Sequence, residues 1–171
     1  DKTFVEGKIL AILKESKPVD SASVGEEVEL IMNQTPFYGE SGGQVGDSGV
    51  AWNEVARLNI TNSTKPIPDL TIHHAKITQG LINKLDTLTL KVDPENRMET
   101  ALHHSVTHLL HAALKEVLGA HVKQAGSLVT SQRLRFDYTH FSPLVPGEKH
   151  RIEERVNQKI RENLTVSTNE L

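Results

Sequence analysis

The feature that most constrains this chain is a change of hydrophobic period at Asp93-Pro94. Up to residue 92, apolar residues come in short runs with partial alternation: Thr3 to Leu13, Glu27 to Asn33, Asp69 to Ile77 and Asp86 to Val92. Turn residues separate them, at Lys17-Pro18, Val24-Gly25, Gly46 to Gly49, Lys65 to Pro68 and Gln79-Gly80. Short strands at this spacing predict a small antiparallel barrel or sandwich. Thr61 to Pro66 is expected to be an exposed loop. With only 4% aromatic residues, the core has to rest on Leu, Val, Ile and Ala.

After Asp93 the period becomes helical. Met98, Leu102, Val106, Leu109, Leu110, Ala113, Leu114, Val117 and Leu118 recur at three- and four-residue steps, which predicts one apolar stripe facing a core. Asp93 suits the N-cap, Pro94 the first helical position and Gly119 the stop. Two strands, His121 to Val129 and Leu134 to Tyr138, should follow. A second helix from about Glu148 to Asn163 should bury Ile152, Val156, Ile160 and Leu164. The ending TVSTNEL has a strand-like start. The expected fold class is α+β, with a barrel over residues 1–92 and a second unit over 93–171.

The predicted helix carries His104 and His108, and four residues at 3.6 per turn return two imidazoles to one face. That spacing suits a divalent metal, but a zinc site takes three or four protein donors and there is no cysteine to add. His103 has no histidine four residues on, since position 107 is Thr; His111, farther along the same face, is the nearest substitute ligand. Residues 105 to 107 are Ser, Val and Thr, so the Glu of an HExxH hydrolase is missing. The competing interpretation is a set of hydrogen-bonded histidines at the border of a core.

A second unusual stretch is TPFYGESGGQVGDSG, residues 35–49, which holds five of the eleven glycines. Its backbone must turn sharply or approach something closely. The Lys and Ser or Thr of a phosphate loop are absent, and the strand and helix flanking a dinucleotide fingerprint are not predicted. Glu40, Ser41, Gln44 and Asp47 offer polar groups to a ligand, while composition equally fits a tight structural loop between barrel strands; Gly42 and Gly43 are expected in a tight turn facing the second unit. A formal net charge of −3 argues against a strongly basic nucleic-acid binder, and no DNA partner is expected. No apolar run approaches the length of a membrane span, and the N-terminal residues lack a signal-peptide pattern, so a cytoplasmic protein is expected.

Taken in order, TPFYGESGGQVGDSG, HHSVTHLLHAALKEVLGAHVKQAGSLV and RLRFDYTHF resemble the editing region of the alanyl-tRNA synthetase family. That region is similar to free-standing alanyl-tRNA editing proteins and, more distantly, to the threonyl-tRNA synthetase editing domain. The resemblance covers essentially the whole chain. It implies a glycine-rich barrel before an α+β editing core, tRNA(Ala) as partner, and hydrolysis of wrongly attached Ser or Gly. It also implies zinc held by an HxxxH pair, matched here by His104 and His108, together with a later CxxxH pair. Thr107 and Gln124 are implied near the substrate; Ser127 is expected as further polar lining, whereas Arg135 and Asp137 are expected to pair structurally. The sequence reaches Leu171 without the CxxxH segment, so it is expected to be a portion of a longer protein with an incomplete zinc site. ATP and magnesium would serve only the aminoacylation domain of that parent. The rival readings are a non-catalytic tRNA-binding or structural module and a portion of a free-standing alanyl-tRNA editing protein.

Overall fold

The computed structural model describes residues 2–165. Nine strands precede the first helix: β1 Phe4–Lys14, β2 Lys17–Val19, β3 Ser21–Ser23, β4 Glu27–Met32, β5 Gly49–Trp52, β6 Arg57–Ile67, β7 Leu70–Gln79, β8 Leu81–Asn83 and β9 Thr87–Val92. Helix α1 Pro94–Leu118, hairpin β10 Gln124–Val129 and β11 Leu134–Tyr138, and helix α2 Pro146–Glu162 follow. None of the described helices is long and apolar enough to cross a membrane.

The strands β1-β4-β7-β6-β5-β9 pair in that order, and β9 pairs back with β1, so six antiparallel strands close on themselves. Closure removes the edges that an open sheet would leave to bind another chain. The fold is therefore α+β with a small closed barrel. Alternation explains its core: Val28, Leu30 and Met32 on β4 and Leu88, Leu90 and Val92 on β9 all point inward. In β1 the inward parity changes, from Ile9 to Ile12, where the register slips between Ile9 and Ala11. A bulge is what lets one strand serve the interior on both sides of a bend.

The expected loop at Thr61 to Pro66 lies inside β6 instead. Asn62, Ser63 and Thr64 pair with His74, His73 and Ile72, and Ser63 is fully buried. The polar composition misled because this stretch of the interior is itself polar. His73 is 1% exposed; its Nδ1 and Nε2 meet the Leu30 carbonyl at 3.1 Å and the Thr35 hydroxyl at 2.7 Å. Burial holds its pKa below 6.5, against a smaller opposing effect from the Leu30 carbonyl. The turn expected at Lys65 to Pro68 shrinks to Pro68-Asp69, where Asp69 takes φ 64°. Gly49, expected in a turn, opens β5.

Helix α1 begins as its sequence requires. The Asp93 carboxylate accepts from the amides of Glu95 at 3.0 Å and Asn96 at 3.1 Å. Its apolar stripe is only half used. Ala113 and Leu114 join Val122 and Ile152 in a second small core, with Leu110, Val117, Phe136 and Val156 packed against it. Met98 and Leu102, expected in the core, are 63% and 59% exposed. Their half of α1 buries Thr100 and Thr107 instead. On α2 only Ile152 is buried, while Ile160 and, past the end of the helix, Leu164 are exposed, contrary to expectation. The physical reason is where α2 crosses: its contacts, such as Arg155 to Glu116 at 2.9 Å, fall on the C-terminal half of α1. Strand β10 starts at Gln124 rather than His121, because His121 lies in the turn after Gly119. Of the ending TVSTNEL, residues 166–171 lie outside the described residues.

Candidate functional site

The glycine loop joins β4 to β5 and touches α1 through side chains. Ser41 and Gln44 exchange backbone hydrogen bonds, Gln44 donating at 3.0 Å and Ser41 at 3.2 Å. The two corners, Gly42 and Gly43, take φ of 60° and 83°, the sign combination of a type I′ turn, which glycine adopts without steric cost. Gly43 is required for a second reason. A Cβ there would lie 2.5 Å from both the carbonyl oxygen and the hydroxyl of Ser127. The loop then docks on β10: Val129 donates to the Gly43 carbonyl at 2.8 Å, and Val45 to the Val129 carbonyl at 3.0 Å. The turn thus faces the hairpin, as the clustering of glycines predicts.

That docking brings Gln44 to the histidines. Nδ1 of His104 lies 2.7 Å from Oε1 of Gln44. An amide oxygen only accepts, so the His104 proton sits on Nδ1 and the lone pair on Nε2 is left to face His108. The two Nε2 atoms stand 3.0 Å apart. Two nitrogens on one tetrahedral zinc, each about 2.0–2.1 Å from the ion, would stand about 3.3 Å apart. A carbonyl-type acceptor on the far nitrogen is also the usual companion of a metal-bound imidazole. The pair therefore fits as two zinc donors. Among the described residues no group of three or more His, Cys, Asp or Glu is placed to hold a metal. His111 is turned to other company: its ring packs on Phe136 at 5.1 Å, and its Nε2 is buried with no partner.

Beside the pair opens a cleft of about 120 Å³. Gly42, His104, Thr107, His108, Gln124 and Ser127 line it, over Phe136, Val129 and His111. Gln124 donates from Nε2 to the Ser127 hydroxyl at 3.1 Å, and that hydroxyl is 3.5 Å from the Gly42 carbonyl. Thr107 spends its proton on the His103 carbonyl at 2.8 Å, so toward the cleft it can only accept. His104 and Gln44 also border a wider groove of about 630 Å³ that runs past Pro36, Tyr38, Arg97 and Ser105.

Three loop residues do not reach the cleft. Glu40 is exposed and is held by its amide to the Ser63 carbonyl at 2.8 Å, while Ser41 is occupied in the turn. Asp47 is buried and structural: it accepts from the Tyr38 amide at 2.6 Å and pairs with Arg97, which also donates to the Pro36 carbonyl at 2.6 Å. Arg97 clamps the loop to α1 and escaped the sequence reading. Its signal was an arginine at the fourth position of a helix, where the macrodipole disfavours a cation. On the hairpin, Arg135 and Asp137 pair with each other at 3.1 Å.

Residues 1–96 match the family model described as tRNA synthetases class II (A). The chain belongs to that family. Its relatives include the alanine-tRNA ligase of Pelotomaculum thermopropionicum, 48% identical over 166 residues, which are 97% of this chain and 19% of that protein. The alanine-tRNA ligase of Magnetococcus marinus is 47% identical over 161 residues, 94% of this chain and 18% of that protein. That of Rhizobium meliloti is 46% identical over 168 residues, 98% of this chain and 19% of that protein. The chain thus spans about a fifth of the length of the curated relatives it matches. The family match covers the whole barrel and the cap of α1, whereas the similarity to the ligases continues through the cleft to α2.

Proposed function

We propose that this chain is the aminoacyl-end pocket of an alanine-tRNA ligase, serving hydrolysis of Ser or Gly wrongly esterified to tRNA(Ala). The observation that carries this reading is convergence: Gly42, His104, His108, Thr107, Gln124 and Ser127, from three separate segments, meet around one small cleft, and Gln44 holds His104 beside it. Such a pocket answers a physical need. A synthetic site sized for alanine cannot exclude glycine by sterics and rejects a near-isosteric serine only weakly. A second site can select on the hydroxyl. Gln124 retains an acceptor for it, Ser127 adds a hydroxyl, and Thr107 offers acceptor lone pairs. Zinc bound by His104 and His108 would supply Lewis-acid polarisation or an activated water. Gln44 keeps the Nε2 lone pair of His104 directed at that position. In this reading the parent protein works in the cytoplasm and attaches alanine with ATP and magnesium at a separate domain.

The test is hydrolysis of Ser-tRNA(Ala) by the full-length ligase and by this chain alone. The full-length protein is expected to hydrolyse it and to spare Ala-tRNA(Ala), with Gln124→Ala slowing hydrolysis about tenfold, the worth of one hydrogen bond. The chain alone should be far slower, having only two metal donors among its described residues. That same shortage favours a second reading, a module that binds tRNA without catalysis. Undiminished tRNA binding, with no hydrolysis even by the full-length protein, would decide for it.

A further inference from the structure

Beyond the cleft, the hairpin ends in a cluster of three rings that the proposed chemistry does not use. Phe141 is 87% exposed, more than any other large apolar side chain among the described residues. It is nonetheless held in place: its ring stacks on His121 with centroids 4.5 Å apart and planes 23° from parallel. His121 in turn stacks on His140 at 5.1 Å and 20°, and Nε2 of His121 is hydrogen-bonded to Nδ1 of His140 at 2.9 Å. The outer face of Phe141 is therefore a flat aromatic surface, fixed from behind and open to solvent. His121 Nδ1 and His140 Nε2 form no hydrogen bond with any described residue, which leaves polar edges beside the flat face.

The position of this cluster connects it to the cleft. Gln124, in the cleft, pairs with Tyr138. One step outward, Thr139 donates to the Lys123 carbonyl at 3.0 Å and Lys123 to the Thr139 hydroxyl at 3.2 Å. His121 and His140 come just beyond. His121 lies three residues before Gln124, and His140 two residues after its strand partner Tyr138, so the rings follow the cleft along the same hairpin. The exposed Lys123 stands between them and forms no ion pair with a described residue. A flat π face with polar edges beside a cation is what an unstacked nucleobase and its phosphate require.

We propose that Phe141, backed by His121 and His140, is a stacking platform for an unpaired base of the RNA strand, close to the terminal nucleotide whose aminoacyl group enters the cleft. This rests on the cleft being the aminoacyl-end pocket. The platform would fix the approach of the strand without reading its sequence, since every base has a π face.

The experiment uses the chain and an RNA hairpin with a single-stranded 3′ tail. A photo-crosslinker on the terminal nucleotide reports the cleft, and 2-aminopurine at each of the two preceding positions reports stacking. The expected result is a crosslink to the peptide containing Gln124 and quenching of one 2-aminopurine. Phe141→Ala should abolish the quenching and weaken binding about fivefold or more, the usual worth of one base-aromatic stack, while Phe141→Trp preserves both. At 87% exposure, Phe141 can be truncated without unfolding the chain. A cleft crosslink with quenching unchanged in Phe141→Ala would overturn the platform and leave the cleft reading intact. Quenching lost in Phe141→Ala, but with no crosslink to the cleft in the parent chain, would place the rings on RNA and overturn the cleft reading. A lower melting temperature of the full-length protein on Phe141→Ala, with RNA signals unchanged, would assign the rings to a protein contact and overturn the platform.

Discussion

The barrel and the helix-hairpin unit solve the burial problem differently. In the barrel, strand after strand places aliphatic side chains in a closed interior, and Ile9, Ile12, Leu58, Leu88 and Leu90 are fully buried. In the other unit the apolar cluster has only four buried members, Ala113, Leu114, Val122 and Ile152, and Met98, Leu102 and Phe141 remain largely in solvent. The barrel is a self-consistent scaffold, whereas the unit that carries the histidines has a thin core of its own and depends on being held. The Asp47-Arg97 pair and the Gly43-Ser127 contact do the holding. Chemistry-bearing residues accumulate at this seam because a groove between two packed units leaves polar groups open that neither core could bury.

The largest expected effect separates the two cores. Leu90→Ala should cost about 2–5 kcal/mol, with Leu114→Ala at or below the low end of that range because its half-exposed surroundings can close up. Trp52, the single tryptophan, sits on β5 and reports the barrel. In urea, Leu90→Ala should move the Trp52 fluorescence midpoint much more than Leu114→Ala does. Equal shifts would mean the units unfold together, and the contrast drawn above would break.

A smaller effect sharpens the account of the barrel. His73 is neutral in the fold because burial lowers its pKa below 6.5. The unfolded chain therefore binds a proton that the folded chain refuses, and His73 contributes stability above pH 6.5 that is lost as pH falls through the folded value. Urea midpoints followed by Trp52 should decline as pH drops below 6.5, and His73→Leu should flatten that part of the profile. A slope unchanged by the substitution would place the titrating group elsewhere.

The smallest effect on stability is expected at the site. His104 is exposed, so His104→Ala should change the unfolding free energy by about 0.5 kcal/mol or less while removing whatever zinc the chain binds. Calorimetric zinc titration together with urea melts checks both halves. A large loss of stability with unchanged metal binding would make the histidines part of a core.

Much of the site was legible in the sequence because its spacing is local. The i, i+4 histidines needed only a helix, and Gly42-Gly43 needed only a turn with two positive φ angles. Composition could not assign Asp47, because it tells a polar side chain from an apolar one and cannot tell one facing a ligand from one spent on a backbone amide and an arginine. The stretch from Thr61 to Pro66 failed likewise: nothing local marks a polar residue as the neighbour of a buried histidine on the adjoining strand.

What the sequence determined by itself were the change of period and the two ends of α1, since periodicity, capping by Asp93 and the stop at Gly119 depend on residues within a few positions of each other. Only the tertiary structure decided that the barrel closes, that Gln44 lies 2.7 Å from a histidine 60 residues later, and that half of the apolar stripe of α1 stays in solvent. These are contacts between distant segments. They follow from which surfaces pack against each other, and packing is settled by the shape and volume of the whole assembly rather than by the preference of any one stretch.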